Sequence, residues 1–217
     1  MPETTDQMRT WMGDFGREYT DRNPQGVEET EDYCCRTYGL ARTEMNERFV
    51  GALDRSLRVL EVGCNVGNQL ACLQRMGFTD LVGIELQADA VARGRERTEG
   101  IDLRQGSAFE IPFEAGAFDL VFTSGVLIHI NPADLPRALD EVHRVTRRYV
   151  WGFEYYAPEV TAIEYRGRRD LLWKADYAGE YLKRFADLAL VRGEMFPYRD
   201  EPDKRDAMFL LEKKENP

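Results

Sequence analysis

Apolar and polar positions alternate in a regular order through the middle of the chain. Short apolar runs bounded by turn residues predict five strands, at residues 58–62, 81–85, 102–105, 118–124 and 149–153. Segments with helical periodicity separate most of them, at residues 68–76, 88–98 and 133–147. This order favours right-handed crossovers and an α/β fold with a doubly wound, mostly parallel sheet.

The two ends of the chain follow different patterns. Residues 1–50 are polar with aromatic residues between charges, which predicts an N-terminal helical cap over one edge of the core, with the α/β domain at residues 51–217. Residues 188–196 and 207–213 are apolar runs joined by the turn-rich segment 197–203. They predict two strands that pair with each other, so that the sheet has an antiparallel last strand.

Composition narrows the classes of function. The 217 residues, 43% of them hydrophobic, are enough for one sizeable core. A net charge of −10 argues against broad binding to nucleic acid or to an anionic membrane and favours a small-molecule partner. No apolar run approaches the roughly 20 residues that cross a bilayer, and the first residues lack the pattern of a signal peptide. We therefore expect a cytoplasmic protein, as a monomer or a homodimer.

The cysteines and histidines give no indication of a metal site. Cys34 and Cys35 are adjacent, whereas Cys64 lies in a glycine turn and Cys72 in the helix behind it. None of these spacings is typical of zinc, and the chain has only two histidines. We predict reduced thiols and no metal.

Residues 59–68 lead from a buried strand into a glycine turn that opens a helix. Gly63 and Gly67 let the backbone turn tightly and approach a ligand without a Cβ atom in the way. Glu61 ends the strand and can accept hydrogen bonds from turn amides or face a cationic group. Glu85 ends the next strand, where a carboxylate can accept both hydroxyls of a ribose. The pattern predicts a nucleotide-like cofactor at the carboxyl ends of the strands.

A dinucleotide is the natural alternative ligand of such a turn. Its pyrophosphate needs the pattern G-x-G-x-x-G, which from Gly63 requires glycine at position 65 and a small residue at position 68. The chain has Asn65 and Asn68 there. The turn therefore argues against a pyrophosphate.

The motif Glu-x-Gly-x-Asn-x-Gly at residues 61–67, with Glu85 after the next strand, resembles motif I and its acidic partner in class I S-adenosylmethionine-dependent methyltransferases. Residues 118–130 are similar to that family's fourth strand and the turn after it, and the resemblance covers residues 57–153. It implies a Rossmann-like fold and S-adenosylmethionine as cofactor. Asn65, where the family often has glycine, and Ser107, where it often has an acid, depart from the pattern. The implied cofactor-binding residues are Phe15, Tyr19, Glu61, Gly63, Cys64, Asn65, Gly67, Asn68, Glu85, Leu86, Ser107, Ala108, Phe109, Thr123, Ser124 and Gly125.

The methyl group of a sulfonium transfers by in-line displacement, so the enzyme mainly holds the acceptor on the methyl axis and excludes water. A base is needed only where the acceptor atom starts protonated. His129 is the leading base candidate, because it follows the fourth strand closely and an unperturbed histidine pKa of about 6.5 suits proton removal. Glu154, at the end of the fifth strand, and Tyr19, in the N-terminal segment, are further catalytic candidates.

A narrower resemblance concerns the acceptor. Residues 11–23, 149–156 and 164–167 are similar to methylases associated with pseudaminic acid biosynthesis. This likeness implies an acidic amino sugar or its nucleotide-linked precursor, methylated on nitrogen or oxygen. Basic residues between 166 and 174 would bind its acidic group, and nearby aromatic residues would stack on a ring. The substrate-binding candidates are Arg22, His129, Tyr155, Tyr156, Tyr165, Arg166 and Trp173.

Two other functions are compatible with the same cofactor residues. A methyltransferase of an amino acid or of an antibiotic-like metabolite differs only in the N-terminal cap and in residues 154–174. A regulatory protein that binds the cofactor without turnover shares the glycine turn and Glu85.

Overall fold

The computed structural model of the chain describes residues 4–214, so the part of the predicted amino terminus at residues 1–3 lies outside it. None of the helices in the described range is both long and apolar enough to cross a membrane. The α-helices are α1 (Asp6–Met12), α2 (Asp14–Arg22), α3 (Val27–Tyr38), α4 (Arg42–Val50), α5 (Asn68–Arg75), α6 (Ala88–Arg97), α7 (Leu135–Val145) and α8 (Tyr177–Arg184). The strands are β1 (Arg58–Val62), β2 (Asp80–Glu85), β3 (Ile101–Gln105), β4 (Phe118–Ser124), β5 (Thr146–Tyr155), β6 (Thr161–Ala162), β7 (Trp173–Lys174), β8 (Leu188–Pro197) and β9 (Arg205–Lys213).

Seven strands form the main sheet in the order β3-β2-β1-β4-β5-β9-β8. Strands β1 to β5 are parallel, whereas β9 runs antiparallel to both of its neighbours. The predicted doubly wound α/β sheet, its antiparallel strand and the N-terminal helices are therefore confirmed. The exact domain boundary at residue 50 stays a prediction.

Helices cover both faces of the sheet because side chains alternate along each strand. On β1, Leu60 and Val62 belong to a hydrophobic cluster with α7 and α8. Val59 points the other way, into a cluster with α4, α5 and α6. The carboxyl ends of β1, β2, β4 and β5 are left open at one edge, and helices α1 to α4 lie over that edge.

One local prediction was wrong at the carboxyl-terminal side of the sheet, and one helix was missed. The helix predicted at residues 133–147 covers Leu135–Val145, and Thr146 already has the extended backbone that starts β5. The pairing of Thr146 with Phe118 draws it into the sheet, and helical periodicity contains no information on that long-range contact. Helix α8 was not predicted, although its signal is present: Asp176 caps it through the Gly179 amide, at 3.0 Å.

Candidate active site

A cavity of about 400 Å³ lies at the carboxyl ends of β1, β2, β4 and β5, beneath the N-terminal helices. Sixteen of the predicted site residues line it, in agreement with the rule that ligands bind at this edge of a parallel sheet. They are Tyr19, Arg22, Glu61, Gly63, Cys64, Asn65, Asn68, Glu85, Leu86, Ser107, Ala108, Phe109, Ser124, Gly125, His129 and Tyr155. The remaining eight lie outside its lining: Phe15, Gly67, Thr123, Glu154, Tyr156, Tyr165, Arg166 and Trp173.

The turn after β1 has a left-handed backbone at its centre. Gly63 has φ +75° and Asn65 has φ +48°, a conformation that asparagine tolerates better than most residues with a Cβ atom. Asn65 Nδ2 donates to Thr20 Oγ1 at 3.2 Å, and Asn68 Nδ2 donates to the Pro24 carbonyl at 2.6 Å. The two asparagines that argue against a pyrophosphate thus tie the turn to the N-terminal helices.

Glu85 stands at the end of β2 and is only 8% exposed. Its Oε2 accepts a hydrogen bond from the Asn65 amide at 3.0 Å, and its Oε1 accepts one from the Gln87 amide at 2.9 Å. Burial raises the pKa of Glu85, while these backbone hydrogen bonds lower it. Each carboxylate oxygen keeps a further lone pair for a ligand.

Four buried acceptor atoms around the cavity have no hydrogen-bond partner within the described part of the chain. They are Glu61 Oε2, Asn65 Oδ1, Gln69 Oε1 and Gln87 Oε1. A buried acceptor without a donor is costly, so this set fits a ligand that brings several donors, such as ammonium, hydroxyl or amino groups. Burial also raises the pKa of Glu61 well above its usual range, although the charge of Arg42 lowers it.

Gln69 and Gln87 were missed by the sequence reasoning. Gln87 comes two residues after the predicted ribose-binding carboxylate, and Gln69 is in the first turn of the helix after the glycine motif. Their closeness to these motifs could have identified them in the sequence. The direction of each side chain, however, depends on the tertiary structure.

Residues 5–25, which include α1 and α2, form a lid over the cavity. Gln7 holds the lid to the loop after β4, because its Nε2 donates to the His129 carbonyl and its Oε1 accepts from the Asn131 amide at 3.0 Å. Gly16 allows the tight turn between α1 and α2, since a Cβ atom at this position would overlap the Trp11 carbonyl oxygen, and it would also be 2.8 Å from the Gln87 side chain. The predicted lid residue Phe15 packs on the outer side, with its ring 5.2 Å from that of Trp11.

His129 lines the cavity, with its ring centroid 4.4 Å from that of Trp11 and 5.6 Å from that of Tyr19. Its Nδ1 lies 2.9 Å from the Leu171 carbonyl oxygen, which can only accept, so we assign the proton to Nδ1 and the free lone pair to Nε2. Burial lowers the pKa of His129 to about 4, so the imidazole is neutral at neutral pH. Burial also raises the pKa of Tyr19 to about 12, which keeps its hydroxyl protonated.

Glu154, a predicted catalytic residue, lies beneath the loop after β4 and outside the cavity lining. Its carboxylate accepts hydrogen bonds from the Val126 amide at 3.0 Å and the Ile128 amide at 3.4 Å, and it also interacts with the Thr123 side chain. Burial raises the pKa of Glu154 to about 7. This geometry gives Glu154 and Thr123 a positioning role, since the loop they hold carries Gly125 and His129.

The arginines predicted to bind the acceptor are paired with acidic side chains of the protein itself. Each of three arginines forms an ion pair: Arg166 with Glu18 at 2.9 Å, Arg168 with Asp170 at 2.6 Å and Arg169 with Glu164 at 3.6 Å. Tyr165 packs between Phe15 and His129, and Trp173 is buried in β7. This segment therefore supports the lid from behind rather than facing the cavity.

Two charged residues that line the cavity were also missed. Arg42, only 2% exposed, donates to Asn46 Oδ1 at 3.0 Å and to Ser124 Oγ at 3.2 Å. Asp206 is also 2% exposed and lies opposite Tyr155 across the β5–β9 pair. An antiparallel strand starts where its parallel neighbour ends, so the predicted direction of β9 is a signal for Asp206. The sequence contains no comparable signal for Arg42.

The middle of the chain is similar to known methyltransferases. Residues 60–151 match the model of a family described as Methyltransferase domain. The chain is 33% identical over 96 residues to an uncharacterized methyltransferase of Synechocystis sp., which covers 44% of this chain and 45% of the relative. It is 33% identical over 98 residues to a demethylmenaquinone methyltransferase of Staphylococcus aureus, which covers 43% and 40%. The chain thus matches less than half the length of these curated relatives.

The overall fold has solved counterparts. A 1,6-didemethyltoxoflavin N1-methyltransferase of Burkholderia thailandensis superposes with a TM-score of 0.72 at 16% sequence identity and covers 99% of this chain and 92% of that one. A protein of Pyrococcus horikoshii reaches a TM-score of 0.61 at 17% identity. At these identities the likeness concerns the fold alone, and it agrees with the predicted Rossmann-like arrangement.

Proposed function

We propose that this chain, whose residues 60–151 match the model of a methyltransferase domain, is a class I S-adenosylmethionine-dependent methyltransferase that transfers the methyl group of that cofactor to a small-molecule acceptor. The observation that carries the proposal is the set of buried acceptors without partners that surrounds one cavity, together with Glu85 and the glycine turn. All of them lie at the edge of the sheet where this fold binds its ligands.

The residues of the cavity fit the cofactor. Glu85 would take the ribose hydroxyls, and the unpartnered oxygens of Glu61 and Gln69 would accept hydrogen bonds from its ammonium group. Arg42, a buried cation that forms no ion pair within residues 4–214, would take its carboxylate. When bound, S-adenosylmethionine supplies an electrophilic methyl group on a sulfonium.

The turn at residues 106–109 suits the adenine. Ser107 Oγ accepts a hydrogen bond from the Phe109 amide at 3.1 Å, so the hydroxyl keeps its own proton to donate. Phe109 is 9% exposed and belongs to the core cluster on the α7 face. Both the Ser107 hydroxyl and the Ala108 amide remain available for the polar edge of the base.

The chain's own contribution to transfer is to hold the acceptor and to exclude water. The lid closes the cavity through Trp11, Tyr19 and Arg22. The neutral His129 ring offers its Nε2 lone pair to a proton of the acceptor, and Glu154 keeps the loop that carries His129 in place. A histidine with a lowered pKa is a weak base, so it suits an acceptor whose proton becomes acidic as the methyl group arrives.

The finer form of the proposal is an amino-sugar acceptor of the pseudaminic acid type or its nucleotide-linked precursor. It rests on the resemblance at residues 11–23, 149–156 and 164–167. The arginines of residues 166–169 lie outside the cavity and are engaged in ion pairs, so an acidic group of such an acceptor would be bound by Arg22, a lid residue that lines the cavity and lies 3.8 Å from Glu18. An amino sugar without an acidic group needs no cation in the cavity for its binding.

Mass spectrometry of reaction mixtures tests the proposal. The chain is incubated with S-adenosylmethionine and a panel of acidic and neutral amino sugars, amino acids and heteroaromatic amines, and we expect one acceptor to gain a single methyl group. Glu85→Ala should abolish the gain, whereas Arg166→Ala, outside the cavity, should preserve it. A chain that binds S-adenosylhomocysteine but methylates nothing in the panel would be a cofactor-binding regulator, and a chain that does not bind it would refute the proposal.

A further inference from the structure

Asp206 is a buried carboxylate on the side of the cavity away from the predicted ribose-binding residue. It lies at the start of β9, opposite Tyr155 on β5 and Phe196 on β8. Its position on β9, level with the end of β5, separates it from Glu85 at the end of β2, with β1, β4 and β5 between them in the sheet. Asp206 therefore belongs to the part of the cavity left for the acceptor.

The hydrogen bonds of Asp206 are stronger at Oδ2 than at Oδ1, so Oδ1 has the larger remaining capacity to accept a hydrogen bond. Tyr38 donates its hydroxyl to Oδ2, and the Tyr198 hydroxyl lies 3.2 Å from Oδ2 and 3.4 Å from Oδ1. Within the described range no lysine or arginine nitrogen comes within the 4.0 Å of an ion pair with this carboxylate. A buried carboxylate without a cation is unfavourable, so Oδ1 is suited to a cationic donor from a ligand.

Aromatic rings surround the same part of the cavity. Tyr33, Tyr38, Phe153 and Tyr155 line it, and the Tyr38 ring lies 5.7 Å from that of Phe153. Aromatic faces attract cations, and a carboxylate among them adds a charged hydrogen bond. An alcohol gains only the hydrogen bond to the carboxylate, without the attraction between two charges or between a cation and a ring, and a carboxylate gains from neither effect.

We propose that the methyl acceptor is an amine, and that Asp206 binds its ammonium group among the rings of Tyr33, Tyr38, Phe153 and Tyr155. This assignment rests on the methyltransferase function proposed above and adds the class of acceptor and the reacting atom, nitrogen. It also makes Asp206 a catalytic residue.

Two cations, Arg42 in the cavity lining and Lys174 outside it, lie near this pocket and oppose the binding of an ammonium group. Arg42 lies over the Phe153 ring at 4.6 Å, and the Lys174 ammonium lies 5.7 Å from the centre of the Tyr155 ring. Both lower the pKa of Asp206, as do the Tyr38 and Tyr198 hydroxyls, but burial outweighs them and raises it to about 6. The cofactor carboxylate would neutralise Arg42, so the filled cofactor site favours the amine.

The proposed reaction balances through Asp206. The ammonium group gives one proton to the carboxylate, which frees the nitrogen lone pair. The lone pair forms the new nitrogen–carbon bond while the sulfur–carbon bond breaks and its electron pair stays on sulfur. The product leaves as a methylated ammonium ion, and the protonated Asp206 returns its proton to solvent.

Calorimetry on the chain saturated with S-adenosylhomocysteine tests this inference by binding rather than turnover. The probes are matched pairs of amine and alcohol, glucosamine with glucose and benzylamine with benzyl alcohol. We expect at least one amine to bind at least tenfold more tightly than its alcohol, and Asp206→Asn to abolish that preference. Asp200→Asn, at an exposed carboxylate in the loop before β9, is the matched control and should leave it intact.

A second measurement does not depend on the variant. The affinity of the wild-type chain for the amine should fall as pH drops below about 6, because the carboxylate becomes protonated. As a separate control, Asp206→Asn should bind S-adenosylhomocysteine as the wild type does. Equal binding of amine and alcohol, no binding of any amine, or an amine preference that survives Asp206→Asn would overturn the inference. Failure to bind S-adenosylhomocysteine would instead refute the proposed function.

Discussion

The Glu85→Gln substitution changes one carboxylate oxygen at the end of β2 into an amide group and keeps the shape of the side chain. In the wild-type chain the two oxygens accept from the Asn65 amide at 3.0 Å and the Gln87 amide at 2.9 Å, and each has one lone pair left for a ribose hydroxyl. The glutamine side chain has a single acceptor oxygen. The amino group of the glutamine would face one of the two backbone N–H groups. The variant therefore loses one of the two hydrogen bonds to the ribose, and the remaining one no longer involves a charged acceptor.

The size of the effect follows from the number of bonds. A hydrogen bond to a charged group contributes about 1.5–3 kcal/mol, so the loss of one such bond should weaken S-adenosylhomocysteine binding by roughly 10- to 150-fold. The 8% exposure of Glu85 leaves little water to replace the lost bond. Glu85→Ala removes both ligand bonds and should weaken binding further.

Titration calorimetry with S-adenosylhomocysteine measures the dissociation constant of each variant. Asp102→Asn, an exposed carboxylate on β3 that pairs with Arg104, is the matched control and should bind as the wild type does. Urea unfolding establishes that each variant is folded. An affinity of folded Glu85→Gln within about twofold of the wild type, less than one lost hydrogen bond, would refute the role of Glu85 at the ribose.

Two further predictions concern stability and the lid. Burial raises the pKa of Glu154 in the folded chain from 4.5 to about 7. Because the unfolded chain loses this proton at lower pH, the free energy of unfolding should fall by about 3 kcal/mol as pH rises between these two values. Urea titrations across this range should show Glu154→Gln gaining on the wild type by that amount, and a pH-independent difference would contradict the assignment. Asn68→Ala removes the bond to the Pro24 carbonyl, which should speed tryptic cleavage in the lid at Arg17 or Arg22 severalfold, with a loss of global stability of about 1 kcal/mol or less. Gln74→Ala, which removes a bond to the Glu99 carbonyl outside the lid, is its control, and equal cleavage rates would disprove the tether.

The strands near the centre of the sheet could be predicted because their signal is local. The predicted bounds of β1 and β4, residues 58–62 and 118–124, agree with the structure. A strand that is buried on both faces appears in the sequence as a short, nearly continuous apolar run bounded by turn residues. Thr146 lacks such a signal, since its extended backbone depends on pairing with Phe118, 28 residues earlier in the chain.

The cofactor side of the cavity was open to prediction for a similar reason. Gly63, Glu61 and Glu85 belong to short motifs at strand ends, and the ends of parallel strands meet at one edge. Asn65 and Asn68 were recognised as departures from a dinucleotide motif. The structure explains these two residues by their contacts with Thr20 and Pro24, which lie about 45 residues away in the chain. The sequence contains no signal for contacts over that distance.

The sequence by itself determined the α/β class, the order of the strands along the chain and the residues of the glycine turn, because periodicity and short motifs act between neighbours. Tertiary structure alone decided which charges face the acceptor. Arg166 pairs with Glu18 and lies outside the cavity, whereas Asp206 receives the hydroxyl of Tyr38 and lies inside it. Whether a charged side chain is buried or exposed depends on partners far away in the chain, 148 residues for Arg166 and 168 residues for Asp206. Its chemical role therefore depends on contacts that form only in the folded protein.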